Sequence, residues 1–369
     1  MDFLATPEVW EKLVNHYQAD STQVDGGGFF APEREAVLQR LGVDCRVISY
    51  DMFCAPPAGV LKPGAGVDWW SSLARSTPNR MWRQTLPDGS SLDIFGRHTR
   101  TQANETGQYE EFASWPLRSA GSVEDLKAFA WPTPDWWDFS TLPDAVRKID
   151  PRGELSLRYR VGTVFEAAWQ LRGMEEFLTD MAMNPDIPLY IMERLAETLV
   201  ENTRTVLAQA GDAIDVVYFY DDVGAQNGLL ISKKMWQRFI KPLHQRIIDV
   251  AKSAGKKVMY HCDGAILSLV PELIDMGIDI LDPIQPTAKD MQPERLKAEF
   301  GDRLCFHGGV DIVGTLPRGT PDEVRAEVRA RAQALGSSGG YILSSSHHIQ
   351  SDTPLENVLA MYELDLRAI

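Results

Sequence analysis

The chain has 369 residues, a formal net charge of −15, 44% hydrophobic and 24% charged residues. That acidic balance disfavours nucleic acid and anionic membrane as partners, since both need a cationic face, and no run of about 18 apolar residues is present to span a bilayer. The start, Met1-Asp2-Phe3, has neither a basic region nor an apolar signal core, so a cytoplasmic location is expected. Cys45, Cys54, Cys262 and Cys305 form no CxxC pair and read as reduced thiols.

Thr6-Pro7-Glu8 predicts a helix start, with a capping residue followed by proline at the first helical position. Gly26-Gly27-Gly28 reads as a loop. Cys45 to Tyr50 predicts an early strand, and residues 54 to 90 are rich in Pro, Gly and Trp without a clear period. Ser91 to Thr99 suggests a hairpin with Gly96 near its turn, and Glu110 to Leu117 extends this β-rich part. Trp131 to Trp137 reads as a rigid aromatic connection. Residues 1–150 are therefore expected to be an elaboration that contributes to a barrel whose main body is residues 151–369.

From Leu155 onward strand and helix patterns alternate. Strands are predicted at 155–162, 214–220, 257–261, 278–283, 304–309 and 341–346, each followed by helical spacing. Ser232 caps one of these helices, which Pro242 bends or interrupts, and Thr320-Pro321-Asp322-Glu323 opens another. Such alternation is the pattern of a parallel sheet with right-handed crossovers. No G-x-G-x-x-G turn or Walker A loop follows any strand. The expected fold is an α/β protein, a (β/α)8 TIM barrel, with two strands supplied by the N-terminal part.

Polar residues gather at the strand ends: Asp221 and Asp222, His261 and Asp263, Asp282, His307, then His347 and His348. In a barrel these ends share one rim, where such enzymes keep their chemistry. Strand parity puts His261 and Asp263 on one face and Cys262 on the other. His261, Asp263 and His347 form a candidate metal set, because two imidazoles and a carboxylate suit zinc, iron or manganese with open positions. The alternative is a hydrogen-bonded acid/base pair without metal. Only one of Asp221 and Asp222 is expected to face the pocket, and Asp222 shares parity with Tyr218 and Tyr220. It is the candidate general acid or base, the alternative being a helix cap. His307 either contacts substrate, as a second candidate catalytic group, or packs. Tyr220, Asp221 and His348 are candidate substrate contacts. His16, His98 and His244 read as ordinary surface or partly buried residues.

Tyr220-Asp221-Asp222-Val223-Gly224, Ile231-Ser232 through Phe239-Ile240-Lys241-Pro242, His261-Cys262-Asp263-Gly264, His307-Gly308-Gly309-Val310-Asp311 and Thr353-Pro354-Leu355-Glu356-Asn357 resemble the uroporphyrinogen decarboxylase superfamily over about residues 155 to 365. The resemblance implies the (β/α)8 barrel. It embraces the haem-pathway decarboxylase and cobalamin-linked methyltransferases that deliver methyl groups to coenzyme M. The methyltransferase branch is similar to a zinc site built from a His-x-Cys element and a later Cys. On this chain His261 matches the His, Asp263 the first Cys and His347 the second, so both thiolates are replaced and a wider range of divalent metals fits. The decarboxylase's N-terminal Arg-Gln-Ala-Gly-Arg-Tyr motif has only an echo in Met81-Trp82-Arg83-Gln84.

These features lead to an expected metal-dependent methyltransferase or demethylase that moves a methyl group between a small substrate or corrinoid and a thiol or pterin acceptor. The expected cofactor is a divalent metal, zinc first, with a corrinoid carried by a partner protein. A homodimer is also expected. The competing expectation is a metal-free decarboxylase of a small or aromatic acid, with Asp222 stabilising a developing cation and His347 protonating the carbanion. A third, a non-catalytic ligand-binding barrel, fits poorly with so many ionisable groups at one rim.

Overall fold

The computed structural model describes residues 1–19, 32–55, 83–103 and 108–363. Gly26 to Gly28, the Pro- and Gly-rich stretch up to Pro78, and Met81-Trp82 lie outside the described residues. Seven parallel strands form one curled sheet: β1 (Cys45–Ser49), β2 (Ser156–Gly162), β3 (Val216–Tyr220), β4 (Lys257–His261), β5 (Ile280–Ile284), β6 (Cys305–Val310) and β7 (Tyr341–Ser345). Their spatial order is their chain order. All six strands predicted after Leu155 are present, and β1 is the predicted N-terminal one. Every residue of β5 is buried, the pattern of a strand covered on both faces.

Eight strands were expected, and seven are regular among the described residues. The place between β7 and β1 is taken by the N-terminal segment. The Asp2 amide donates to the Leu343 carbonyl at 2.9 Å, and the Asp44 amide donates to the Met1 carbonyl at 3.3 Å. Ala5 then bridges Ile349 in parallel fashion. The segment is too short to run a full ladder on both sides, because Pro7 already opens the helix Pro7–Tyr17.

Helices cover the outer face. The longest, Asp186–Ala210, buries Ile187, Ile191, Leu195, Leu199 and Val206, a stripe of helical period. Ser232 caps its helix by accepting the Met235 amide, and the helix then passes through a π turn at Trp236–Ile240. Pro242 sits in the first turn of the regular helix that follows, Lys241–Ser253, where its missing N–H is harmless. Thr320 and Glu323 form the predicted reciprocal cap of Pro321–Gly336. The predicted hairpin is part of a four-stranded antiparallel sheet, Arg83–Thr85, Ser91–Asp93, His98–Ala103 and Gln108–Ser114. Gly96 turns it with φ +72°. No described helix is long and apolar enough to cross a membrane.

Candidate active site at the strand ends

β3, β4 and β5 run in register, so Tyr220 and His261, the last residues of β3 and β4, sit beside Asp282 in the middle of β5. The His261 Nδ1 lies 2.7 Å from the Asp282 Oδ2, which fixes the ring and turns Nε2 outward. That nitrogen faces Asp263 Oδ1 at 3.7 Å and Asp222 Oδ1 at 3.8 Å. The other Asp263 oxygen faces His347 Nε2 at 3.5 Å. Ligand atoms of His261, Asp263 and His347 all lie within 4.8 Å of one another. Donors around a four-coordinate ion at 2.0–2.2 Å stand about 3.4 Å apart, so a small contraction of this set would enclose a cation.

Asp263 is held from behind. Gln285 donates to its Oδ1 and accepts the Gly264 amide, both at 2.8 Å. Gly264 has φ +85°, and a Cβ there would lie 2.7–2.9 Å from the Ala225 backbone. Only glycine lets the chain turn at this point with the Gly224–Leu229 hairpin pressed against it. Cys262 points the other way, as parity predicts, and its sulfur accepts the Val223 amide at 3.3 Å.

The two neighbouring aspartates divide as parity requires. Asp222 stays at the rim, where its carboxylate accepts the Asp263 amide at 2.8 Å. Asp221 is fully buried. It accepts the amides of Val164 (3.0 Å) and Glu166 (2.8 Å) and the Thr163 hydroxyl. It also lies 2.6 Å from His244 Nε2. Asp221 therefore anchors the start of the helix Phe165–Arg172 and does not reach the pocket as a substrate contact. His244, read as a surface or partly buried residue, is instead fully enclosed against Phe219 and Tyr260.

Of the two roles expected of His307, the structure fits packing and not substrate contact. His307 is fully buried beneath the rim. Its Nδ1 lies 2.5 Å from Asp282 Oδ1, and its Nε2 lies 2.9 Å from Asp2 Oδ2. Asp2 pairs in turn with Arg158 at 2.5 Å. A buried string of alternating charge thus runs Arg158, Asp2, His307, Asp282, His261, from the N-terminal seam to the rim. His307 supports Asp282 and touches no open space.

The string sets the protonation of the rim. Burial would push His261 down, but the Asp282 carboxylate, then Asp222 and Asp263, raise it to about 10. Burial would raise Asp282, yet His307 and His261 hold it well below the usual carboxylate range. Asp263 is raised by burial, against the pull of His261 and His347. His348 packs against His347 with ring centroids 4.8 Å apart and the rings tilted by 56°. Burial, then the charges of His347 and His261, push it down to about 3, so it stays neutral.

Beside the triad a cleft opens between the antiparallel sheet and the barrel, lined by Tyr220, Arg160, Arg97 and Glu166 among others. Arg160 donates to the Tyr220 hydroxyl at 3.1 Å. Burial, then the nearby Asp222 and Asp221 carboxylates, raise Glu166 to about 7. Sequence reading missed Glu166, Asp282 as the orienting acid, and both arginines. Asp282 had a signal, an acid at a strand end. Glu166 lies four residues beyond the predicted strand's end at Gly162, and Arg97 comes from a different sheet.

Residues 113–365 match the family described as uroporphyrinogen decarboxylase (URO-D), well over half of the chain. The chain belongs to that family. A URO-D relative, the uroporphyrinogen decarboxylase of Thermus thermophilus, is 28% identical over 176 residues, 47% of this chain and 47% of that enzyme. The methylated-thiol–coenzyme M methyltransferase of Methanosarcina mazei is 28% identical over 145 residues, 39% of this chain and 36% of that protein. The match thus spans about half or less of these curated relatives. A solved methyltransferase structure from Methanosarcina mazei superposes with a TM-score of 0.60 at 16% identity, over 98% of this chain and 93% of the other. That likeness supports the URO-D barrel itself.

Proposed function

We propose that this URO-D family member is a metal-dependent methyltransferase or demethylase. It moves a methyl group between a small substrate, or a corrinoid on a partner protein, and a thiol or pterin acceptor. The convergence of His261, Asp263 and His347, from two distant parts of the chain, carries this reading. The relative named as a methylated-thiol–coenzyme M methyltransferase supports it. A divalent cation there, zinc or a harder ion, would lower the pKa of a bound thiol or water. Asp282 fixes the His261 ring, Gln285 fixes Asp263, and Asp222 stands where it can position or deprotonate the acceptor. Tyr220, which lines the neighbouring cleft, and neutral His348, which packs on His347, would contact the substrate in this reading.

Protein purified after zinc supplementation should carry one metal per chain by elemental analysis, and His261→Ala or His347→Ala should carry none. Wild-type protein without stoichiometric metal under those conditions removes the reading. Metal binding should also expel protons. His261, raised to about 10, is charged at neutral pH, and a cation at Nε2 displaces that proton while Nδ1 keeps its bond to Asp282. Calorimetry in buffers of different ionisation enthalpy should therefore report about one proton released per cation near pH 7.5, falling toward zero above pH 10.

The second reading is a metal-free carboxy-lyase, favoured by the decarboxylase relatives from Thermus. Carbon dioxide release from small aromatic acids by chelator-treated protein, retained in His261→Ala, would establish it.

A further inference from the structure

Asp2 belongs to the segment that fills the place between β7 and β1, and all of its polar atoms are engaged inside the barrel. It is 3% exposed. Its amide donates to the Leu343 carbonyl at 2.9 Å, and its carbonyl accepts the Tyr362 hydroxyl at 2.7 Å. Its Oδ1 accepts the Phe3 amide at 2.9 Å. Its Oδ2 takes both Arg158 at 2.5 Å and His307 Nε2 at 2.9 Å. Three donors thus share two oxygens. A carboxylate has lone pairs for all of them, whereas an amide offers one accepting oxygen and adds a donor.

His307 stands between this acid and Asp282. Its Nε2 meets Asp2, and its Nδ1 lies 2.5 Å from Asp282 Oδ1 in a contact too bent to be a directed hydrogen bond. A neutral imidazole has a lone pair on one ring nitrogen, which would here face a carboxylate on either side. The arrangement therefore suits an imidazolium, held by charge as much as by direction. Burial opposes that charge, but Asp282 and Asp2 outweigh it and raise His307 above its ordinary value. The other Asp282 oxygen lies 2.7 Å from His261 Nδ1.

We infer that Asp2 is a positioning residue for the rim: it occupies Arg158 and His307, and so leaves Asp282 to fix the His261 ring with Nε2 turned outward. Without the Asp2 charge, Asp282 is the carboxylate that still acts on both Arg158 and His307. One acid then serves three buried groups, and its bond to His261 Nδ1 weakens. A cation arriving at Nε2 would also meet one more uncancelled positive charge. The consequence for metal affinity rests on the proposed metal reading, while the hold on the His261 ring does not.

The first test needs neither a substitution nor a metal. Nitrogen-15 NMR of the histidine rings in the full chain at pH 7 should show both nitrogens of His307 protonated, and a hydrogen-bonded, slowly exchanging Nδ1–H on His261. In Asp2→Asn that His261 proton should exchange several-fold faster. Calorimetric titration should show Asp2→Asn binding zinc about three- to tenfold more weakly than wild type, a smaller loss than removal of a directly bonded orienting partner gives. Arg158→Gln breaks the same buried ion pair and should lower the denaturation midpoint, yet hold zinc at least as well as wild type within about twofold, because Asp2 still holds His307. In a His307→Gln background, Asp2→Asn should add no further loss of zinc affinity. A neutral His307 in the wild type, an unchanged His261 Nδ1–H in Asp2→Asn, equal zinc weakening in Arg158→Gln, or full additivity with His307→Gln each overturns the proposal. A wild type that binds no zinc removes the metal reading and leaves the ring signals to decide this one, and the wild-type signals decide it if Asp2→Asn does not fold.

Discussion

Replacing Asp282 with Ala should cost about 3–5 kcal/mol of stability, read as a lowered denaturation midpoint, because it strands two charged imidazoles in the barrel interior. Asp282 touches His307 and His261 at 2.5 and 2.7 Å and is 2% exposed. Asn at this position keeps the shape but not the charge, so it should cost less. It should still weaken metal binding about 10–100-fold through His261, as loss of an orienting carboxylate does. The same string predicts a direction with pH. Asp282 and Asp2 are both held below the ordinary carboxylate range in the fold. Their contribution is complete above about pH 4, the value of the unfolded groups, and is lost as pH falls through the folded values. His261 acts oppositely: its contribution is complete below about pH 6.5 and fades as pH rises through about 10. Stability should therefore fall off in acid, and Asp282→Asn should flatten that fall. A mutant with an unchanged midpoint and acid profile would show that the string contributes nothing.

Asp221→Ala should cost about 3–5 kcal/mol as well, with no selective loss of ligand affinity in whatever folded fraction survives. Its carboxylate satisfies two backbone amides, a hydroxyl and His244, all out of solvent. Removing it leaves the start of the helix Phe165–Arg172 without its acceptor. Asp222→Ala is the control: at the rim it should leave the denaturation midpoint within about 1 kcal/mol and affect the site alone. If Asp221→Ala were fully stable but weak in ligand binding, the first reading of Asp221 as a substrate contact would be restored.

Much of this was legible in the chain. Alternating patterns located six strands and, with parity, separated Asp222 from Asp221 and Cys262 from its neighbours. The rim rule brought His261 and His347 together although their strands are far apart in sequence. What failed was depth along the barrel axis. His307 stands two residues before the end of the predicted strand 304–309 and lies inside β6, Cys305–Val310, below the rim, and an acid from the second residue of the chain completes its environment. No local pattern announces a pairing of Asp2 with His307 and Arg158. His244 did have a signal. It falls on the helical stripe of Ile240, Leu243, Ile247 and Ile248, all buried, which marks a core position.

The hairpin at Gly224–Leu229 ties the acid half of the triad to a neighbouring loop. Ala225 accepts the Ala265 amide at 2.9 Å, and Gln226 accepts the Lys289 amide at 3.0 Å. A Cβ on Gly224 would sit 2.2 Å from the Asp263 carbonyl. A side chain at position 224 would therefore have to push the Asp263 backbone away from the hairpin, and Gly224→Ala is expected to disturb the triad without touching any of its three side chains.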